Sequence, residues 1–502
     1  MQLSQLLNIH GHLDWRDQPQ SAVAEGLYFD SRKVEQASIY VAIRGNSADG
    51  HDYIQSAIDQ GAIALVVEDI SKVPDSYKGA VVEVLDSRLS LQNLSQKFFG
   101  NPGDSMISVA VTGTNGKTSS SYILEYLLAQ LKMKCGVIGT IDHHVGDKVW
   151  KTSLTSPDPV TLQSRLKDFV NEGANSFVIE ASSHALDQKR LKQSFDVALF
   201  TNLSHDHLDY HKSMDAYFEA KALLFSESMV KEDSQCFAVI NGDDPYGQQL
   251  VNKVQGRQVF RFGQQEDNDI VFIVNSESLD GCHVSVEFPN GQNIEFQNPM
   301  LGLHNVYNSV GCLAVIYSLG LNVSEAAQSL KDFYGVPGRM QMLKSPKGVY
   351  GFVDYAHTPD ALQKSLDSLN LLMDETMKLI VVFGCGGDRD KEKRSEMGKI
   401  ALHNSTIMVV TSDNPRSEDP DQIVAEIMKG AEEENHPDFD EKVKSITDRK
   451  EAIKQATEMA DSGDVILVAG KGHETYQIIG DKTLDFDDSQ VLQWFLRKAE
   501  QE

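Results

Sequence analysis

The segment ISVAVTGTNGKTSSSYILEYLLAQL, residues 107–131, reads as a strand, a glycine turn and an amphipathic helix. Gly113 and Gly116 let the backbone curl so that several N–H groups face one point. Lys117 and the helix N-terminus add positive potential suited to phosphate, and the Thr118 hydroxyl is placed to reach a magnesium ion. The full candidate loop is Gly113, Thr114, Asn115, Gly116, Lys117, Thr118 and Ser119. Strict P-loop spacing asks for glycine at 111, where this chain has Val111, but the strand–turn–helix context still favours nucleotide binding. Such a loop leaves ATPase, kinase, GTPase and ligase chemistry open.

Two later segments narrow the choice. Glu180 ends the strand candidate SFVIE, and TNLSHDHLDYH, residues 201–211, follows another with His205, Asp206, His207, Asp209 and His211. At the carboxyl ends of a doubly wound sheet these groups share the ligand crevice with the loop. Oxygen and nitrogen donors beside a triphosphate suggest one or two Mg²⁺ ions. In SMDAYFEAKALLF, residues 213–225, helical spacing puts Met214, Tyr217, Phe218, Leu224 and Phe225 on one apolar face with Lys221 inside it. Its amine could snorkel to water. Alternatively, burial lowers its pKa, and the neutral amine can add CO₂ to give a carbamate with two oxygen ligands.

The elements that must position these groups fall into three α/β segments. Residues 1–101 alternate short apolar runs with helix-like stretches, and FFGNPGDSM precedes a clearer α/β block over 102–338. Within that block, strand candidates ISVAVTG, SFVIEA, DVALFTN and CFAVING predict a mostly parallel sheet. Period-two runs between 258 and 297 predict antiparallel hairpins, and a helical pair follows over about 304–333. YGVPGRMQML marks a second boundary. Residues 339–502 then form a Rossmann-like unit with glycine-rich loops at strand ends.

Composition limits the partners. The 502 residues are 41% hydrophobic and 24% charged, as in globular enzymes. A net charge of −27 opposes non-specific attraction to nucleic acid or anionic membrane, so an anionic ligand needs a locally positive pocket. Five dispersed cysteines suggest neither a disulfide framework nor a zinc site. No secretory signal pattern or long apolar run appears. A soluble, cytoplasmic monomer is expected.

The motifs VTGTNGKTSSS, EASSHALDQKR, TNLSHDHLDYH, AKALLF, LGLHNVYNSVGCLA, GRMQ, DYAHTPDAL, GGDRDKEKR, SDNPR and AGKGHETYQ occur in the order and approximate spacing of the Mur ligases, which this chain resembles. That resemblance implies a small N-terminal domain holding a uridine nucleotide, a central ATPase and a C-terminal domain bringing the incoming amino acid. It implies ATP-driven amide formation on UDP-N-acetylmuramoyl-L-alanyl-D-glutamate through an acyl phosphate. Carried over by position, Lys117 would neutralise phosphate charge, and Thr118 and Glu180 would bind one Mg²⁺. His207 and carbamylated Lys221 would help hold a second ion. Asn305, Arg339 and Asp354 match positions that hold ATP, although Asn305 could instead satisfy backbone groups on its own helix. Ser31, Asn46, Ser47, Ala48, Thr155, Ser156, Ser182, Gln188 and Arg190 match contacts to the UDP substrate. The loop GNSADG departs from the HQADG found in relatives, at Asn46 and Ser47.

The amino-acid site would discriminate meso-diaminopimelate from L-lysine by a second carboxylate, so a second cation is the feature to seek. Arg389 and Arg416 are two such cations, and Arg416 offers a planar fork. Asp413, Asn414, Pro415, Gly470 and Glu474 complete the candidate set. In this family DNPR goes with diaminopimelate. Taken alone, Arg416 could form a surface ion pair with Glu418 or Asp419, and Arg389 could belong to a solvated charged face. The alternatives are the same reaction with L-lysine, or a nucleotide-binding paralogue without catalysis. The presence of Lys117, Glu180, His207 and Lys221 argues against the latter.

Overall fold

The computed structural model describes residues 1–8, 11–45, 48–152, 154–191, 193–231 and 234–498. Asn46 and Ser47 lie outside the described residues. The chain forms two compact units, one of Met1–Asp269 with Ala314–Asn322, the other of Ile270–Leu313 with the chain from Val323 on.

The first unit contains two sheets. In the smaller, the strands Gly26–Tyr28, Ser38–Val41, Ala62–Val67 and Ala80–Glu83 run parallel, and His12–Asp14 pairs antiparallel to Ala80–Glu83. Its inner strands are almost wholly buried, as expected of a parallel sheet covered on both faces. Helix Ser87–Phe99 packs on it, capped where Asp86 accepts the Leu89 N–H at 2.9 Å and ended by left-handed Gly100.

In the larger sheet the parallel order is Gln258–Gly263, Phe237–Asn241, Val197–Phe200, Ile107–Thr112, Ser176–Glu180 and Cys135–Ile138. The antiparallel strands His143–Val145 and Lys148–Trp150 continue from the last. The strand before the glycine loop therefore lies between the strand ending at Glu180 and the strand preceding residues 201–211. Gln258–Gly263 corrects the hairpin expectation: despite its alternating pattern it pairs parallel to Phe237–Asn241. Its first four residues are exposed or partly buried and its last two, Phe262 and Gly263, are buried.

In the second unit the antiparallel hairpins are Ile270–Ser278, Gly281–Glu287 and Asn293–Asn298, with a bulge between Val274 and Ser276. Its main sheet has the order Gln341–Lys344, Tyr350–Asp354, Val465–Ala469, Leu379–Phe383, Ile407–Val410 and Val443–Ser445, parallel except at the first pair. Apolar clusters fill both faces of this sheet, around Phe352, Leu366 and Met397 on one side and Val353, Ile453 and Leu492 on the other. The expected mixed α/β architecture with mostly parallel sheets is what the chain adopts. No helix among the described residues is long and apolar enough to cross a membrane.

Candidate functional site

The loop after Ile107–Thr112 is fastened to the neighbouring strand end. Gly113, at φ +151°, approaches so closely that a Cβ there would lie 1.9 Å from Thr201 Oγ1. Thr114 N–H donates to Asn202 O at 2.8 Å, Asn115 N–H to Asn202 Oδ1 at 3.0 Å, and Thr201 Oγ1 to Asn115 O at 2.6 Å. Helix Lys117–Gln130 starts at Gly116 without a side-chain cap, so its first N–H groups suit an anion. Val111 is explained by register: it is a buried strand residue opposite Glu180, and the turn begins only at Gly113.

Glu180 is fully buried at its strand end. Its carboxylate accepts Thr118 Oγ1 at 3.0 Å, Thr140 N–H at 2.9 Å and Thr140 Oγ1 at 2.9 Å. A buried carboxylate needs such donors. Sequence reasoning missed Thr140; the signal was the unread strand Cys135–Ile138, whose carboxyl end it follows. Thr140 Oγ1 also lies 3.1 Å from Thr155 Oγ1.

Lys221 is 1% exposed. Ser213 caps its helix, which runs Met214–Ala222 and tightens to a 3-10 turn over Leu223–Phe225. Tyr217, Phe218, Leu224 and Phe225 are buried with it, while Met214 is partly covered. The amine does not snorkel. Its Nζ donates to Gly113 O at 2.8 Å and stands 4.6 Å from the centre of the Tyr217 ring. Lys117 Nζ reaches the same carbonyl at 2.9 Å and Thr114 O at 2.8 Å. Burial first, then the Lys117 charge, hold the Lys221 pKa well below the usual lysine range, with Asp206 opposing them.

His207 has φ +53° and a side chain 46% exposed, and its ring meets Tyr217 edge-on at 5.9 Å and His184 at 5.0 Å. His211 instead turns inward, 2.9 Å from Ser183 Oγ. Tyr217, absent from the sequence-based set, links this cluster to the loop through its hydroxyl, 3.2 Å from Thr114 Oγ1. Among the described residues no group of three or more His, Cys, Asp or Glu side chains is arranged to hold a metal. A cation beside Glu180 would therefore depend on hydroxyl, phosphate or carbamate oxygens as well.

A cavity of about 510 Å³ lies between the two sheets of the first unit, lined by Ser31, Ala48, Gln188 and Arg190 from the sequence-based set. Arg32, Arg88 and Lys189 also line it, giving a local concentration of cations in an acidic protein. Arg190 Nη1 donates to Ser156 O at 2.7 Å, and Ser156 Oγ bonds Glu180 O at 2.7 Å and accepts Ser182 N–H at 3.0 Å. These bonds connect the cavity wall to the Glu180 strand end. Thr155, Ser156 and Ser182 are not among the lining residues; they stand on the same short network.

In the second unit Asp413, Asn414, Gly470 and Glu474 cluster at the carboxyl ends of Ile407–Val410 and Val465–Ala469. Asn414 Nδ2 donates to Glu474 Oε2 at 2.7 Å. The fully buried Lys471 donates to Asn414 Oδ1 at 3.2 Å and Glu474 Oε2 at 3.3 Å. Lys471 was overlooked although the GKGHE motif contains it. Burial raises the Asp413 pKa, against the Arg449 and Lys471 charges. Arg449 forms a fully buried pair with Asp488, at 2.8 Å through Nε and 2.7 Å through Nη2, and also donates to Ala469 O at 3.0 Å and Ser412 O at 3.4 Å. Arg449 thereby holds the residues that immediately precede Gly470 and Asp413.

Arg416 does not pair with Glu418 or Asp419. Its Nη1 donates to Gly387 O at 2.7 Å, and a Cβ at Gly387 would come within 1.9 Å of Pro415 O. Arg389 is exposed, and its Nη1 donates to Asp388 O at 3.5 Å. Asn305 donates to Leu301 O at 2.8 Å and receives Asn308 Nδ2 at 3.3 Å, the local role that its helix allows. Asp354 accepts Met340 N–H at 2.7 Å and Ala356 N–H at 3.0 Å, and the Arg339 guanidinium stands 5.4 Å from the centre of the Tyr355 ring.

The fold and loop define a P-loop phosphate-binding α/β protein with a Rossmann-like C-terminal sheet. Residues 24–98 match the Mur ligase family catalytic domain, 111–316 the Mur ligase middle domain and 338–472 the Mur ligase glutamate ligase domain. The chain belongs to the Mur ligase family. It is 42% identical over 481 residues to a UDP-N-acetylmuramoyl-L-alanyl-D-glutamate–2,6-diaminopimelate ligase of Geobacter metallireducens, covering 93% of each chain. It is 38% identical over 476 residues to one of Clostridium perfringens, covering 93% and 94%. A solved structure of an enzyme of that name matches with a TM-score of 0.73 at 32% identity, over 100% of this chain and 99% of the other.

Proposed function

We propose that this protein is an ATP-dependent amide ligase that joins meso-2,6-diaminopimelate to UDP-N-acetylmuramoyl-L-alanyl-D-glutamate in the cytoplasm. The observation that carries this reading is the 42% identity, over 93% of both chains, to a ligase named for those substrates. In the reaction, the D-glutamate side-chain carboxylate takes the γ-phosphoryl group of ATP, giving an acyl phosphate and ADP. The amine then attacks the acyl carbon, forming the C–N bond, and the tetrahedral intermediate expels phosphate while the amine loses a proton. A carboxylate resists amines until its oxygen becomes a good leaving group, so the protein's work is positioning and charge neutralisation.

In this account the uncapped helix start at Lys117 and the amides of Thr114–Ser119 hold the phosphates. Lys117, turned onto Gly113 O and Thr114 O, would exchange those carbonyls for phosphate oxygens. The cavity with Arg190 takes the anionic UDP substrate. Glu180 and Thr118 form a hard-oxygen donor pair that fits Mg²⁺, with His207 as a further candidate. Bound there, the ion would supply Lewis-acid stabilisation of phosphoryl oxygens.

Lys221 is assigned a carbamate. Two amines share the Gly113 carbonyl, burial favours the neutral form of Lys221, and a neutral amine adds CO₂ through a new N–C bond with release of one proton. Arg416 and Arg389 are assigned to the two carboxylates of diaminopimelate, with Asp413, Asn414 and Glu474 facing its polar groups. Mass analysis of the product with diaminopimelate and L-lysine in competition tests this reading. The diaminopimelate adduct is expected to dominate; a dominant lysine adduct would overturn the assignment of Arg416, and no adduct with either would overturn the ligase reading.

A further inference from the structure

The loop carrying Arg389 and the loop carrying Arg416 are joined by a part-buried ionic strut that neither arginine belongs to. Arg394, with a fully buried side chain, donates to Glu418 through Nη1 at 3.0 Å and Nη2 at 2.9 Å. The same guanidinium holds Gly386 O at 3.2 Å and Glu426 at 2.7 Å. Glu418 Oε1 in turn accepts the Asp388 N–H at 2.6 Å, and Lys391 lies 3.0 Å away. Ser417 closes the connection: its Oγ and N–H donate to the Asp388 carboxylate at 2.6 and 3.2 Å. Residues on both sides of Arg389 are thus tied to the two residues that follow Arg416.

We propose that Glu418, clamped by Arg394, is a positioning residue that sets the spacing between Arg389 and Arg416 and thereby governs selection of an amino acid with two carboxylates. The inference rests on the assignment of those two arginines to diaminopimelate. The chemistry favours a positional role. Arg389 is exposed and held by little of its own, so the place of its guanidinium depends on the backbone at Asp388. The Asp388 N–H is held by the charged Glu418 acceptor, and the Asp388 carboxylate accepts the Ser417 hydroxyl, so residue 388 is fixed through both backbone and side chain. Misplacing a carboxylate-binding cation penalises a dicarboxylic amino acid more than lysine, which lacks the second carboxylate. The Glu418 carboxyl is held down to about 2, chiefly by Arg394, then by the Asp388 N–H and Lys391, so the strut stays ionic across the range in which a ligase is assayed.

The test compares Glu418→Gln and the milder Ser417→Ala with the unmodified protein, measuring KM and kcat for diaminopimelate and L-lysine and KM for ATP. Glu418→Gln is expected to raise KM for diaminopimelate by about tenfold or more and to narrow the preference over lysine by a similar factor, with KM for ATP nearly unchanged. Ser417→Ala should move the same two quantities less. If both variants keep the diaminopimelate KM and preference, or lose all substrates in equal proportion, the positioning role is overturned. Failure of the unmodified protein to use diaminopimelate would instead refute the functional reading itself, and the strut's role in selection with it.

Discussion

Replacing Asp488 with Asn removes the negative charge from the buried pair while keeping its shape, and leaves Arg449 charged where no water reaches it. Breaking one side of a buried pair costs about 3–5 kcal/mol. Arg449 would keep its bonds to Ser412 O and Ala469 O, which places the cost near ~3 kcal/mol and lowers Tm by roughly 6–12 °C for a folding unit of 150–250 residues. The assay is scanning calorimetry beside thermal circular dichroism. The double variant Arg449→Met/Asp488→Leu should lose less, because no unpaired ion remains, but it should keep a deficit at neutral pH. Asp413 is already raised by burial; the double variant removes the Arg449 charge that lowers it and the weaker Asp488 influence that raises it, so the net change is upward. A carboxyl whose folded pKa exceeds its unfolded value binds protons better in the folded state, so that deficit should shrink as pH falls through the Asp413 titration. A Tm shift for Asp488→Asn below about 2 °C would refute the reasoning.

Three further outcomes are expected. Glu180→Gln should raise the Mg²⁺ concentration needed for half-maximal turnover by about 10- to 100-fold; an unchanged magnesium titration would remove Glu180 from the ion's ligands. Lys221→Ala should abolish turnover without rescue by bicarbonate, and the unmodified protein equilibrated with ¹³C-bicarbonate should show a carbamate resonance that the variant lacks. Because the amine's pKa is lowered, that resonance should grow as pH rises through the amine's titration; a variant that retains both activity and signal would contradict the assignment. Arg190→Ala should raise KM for the UDP substrate roughly 10- to 150-fold, the value of a charge-assisted hydrogen bond, and leave KM for ATP unchanged. An unaltered UDP-substrate KM would exclude Arg190 from that cavity's recognition.

Local pattern made the parallel strands and the glycine loop readable, because buried apolar runs ended by Gly and small polar residues have few other solutions. Lys221 was legible for the same reason: an ammonium inside an apolar stripe conflicts with its surroundings. Gln258–Gly263 was misread because alternation records which faces are wet, not the direction of the partner strand. The site roles of Thr140, Tyr217 and Lys471 were not legible because each acquires its role from a residue distant in sequence: Glu180, Thr114 and Asn414. The partner of Glu418 was equally invisible: Arg394 lies 24 residues away along the chain, and only the fold brings the two together.

In the proposed reaction ATP activates the D-glutamate side-chain carboxylate. This step is tested most directly by supplying the UDP substrate with ¹⁸O in that carboxylate, together with ATP, Mg²⁺ and diaminopimelate, and weighing the released phosphate. An acyl phosphate transfers one labelled oxygen to each phosphate formed with product. Unlabelled phosphate accompanying amide formation would contradict an acyl phosphate intermediate.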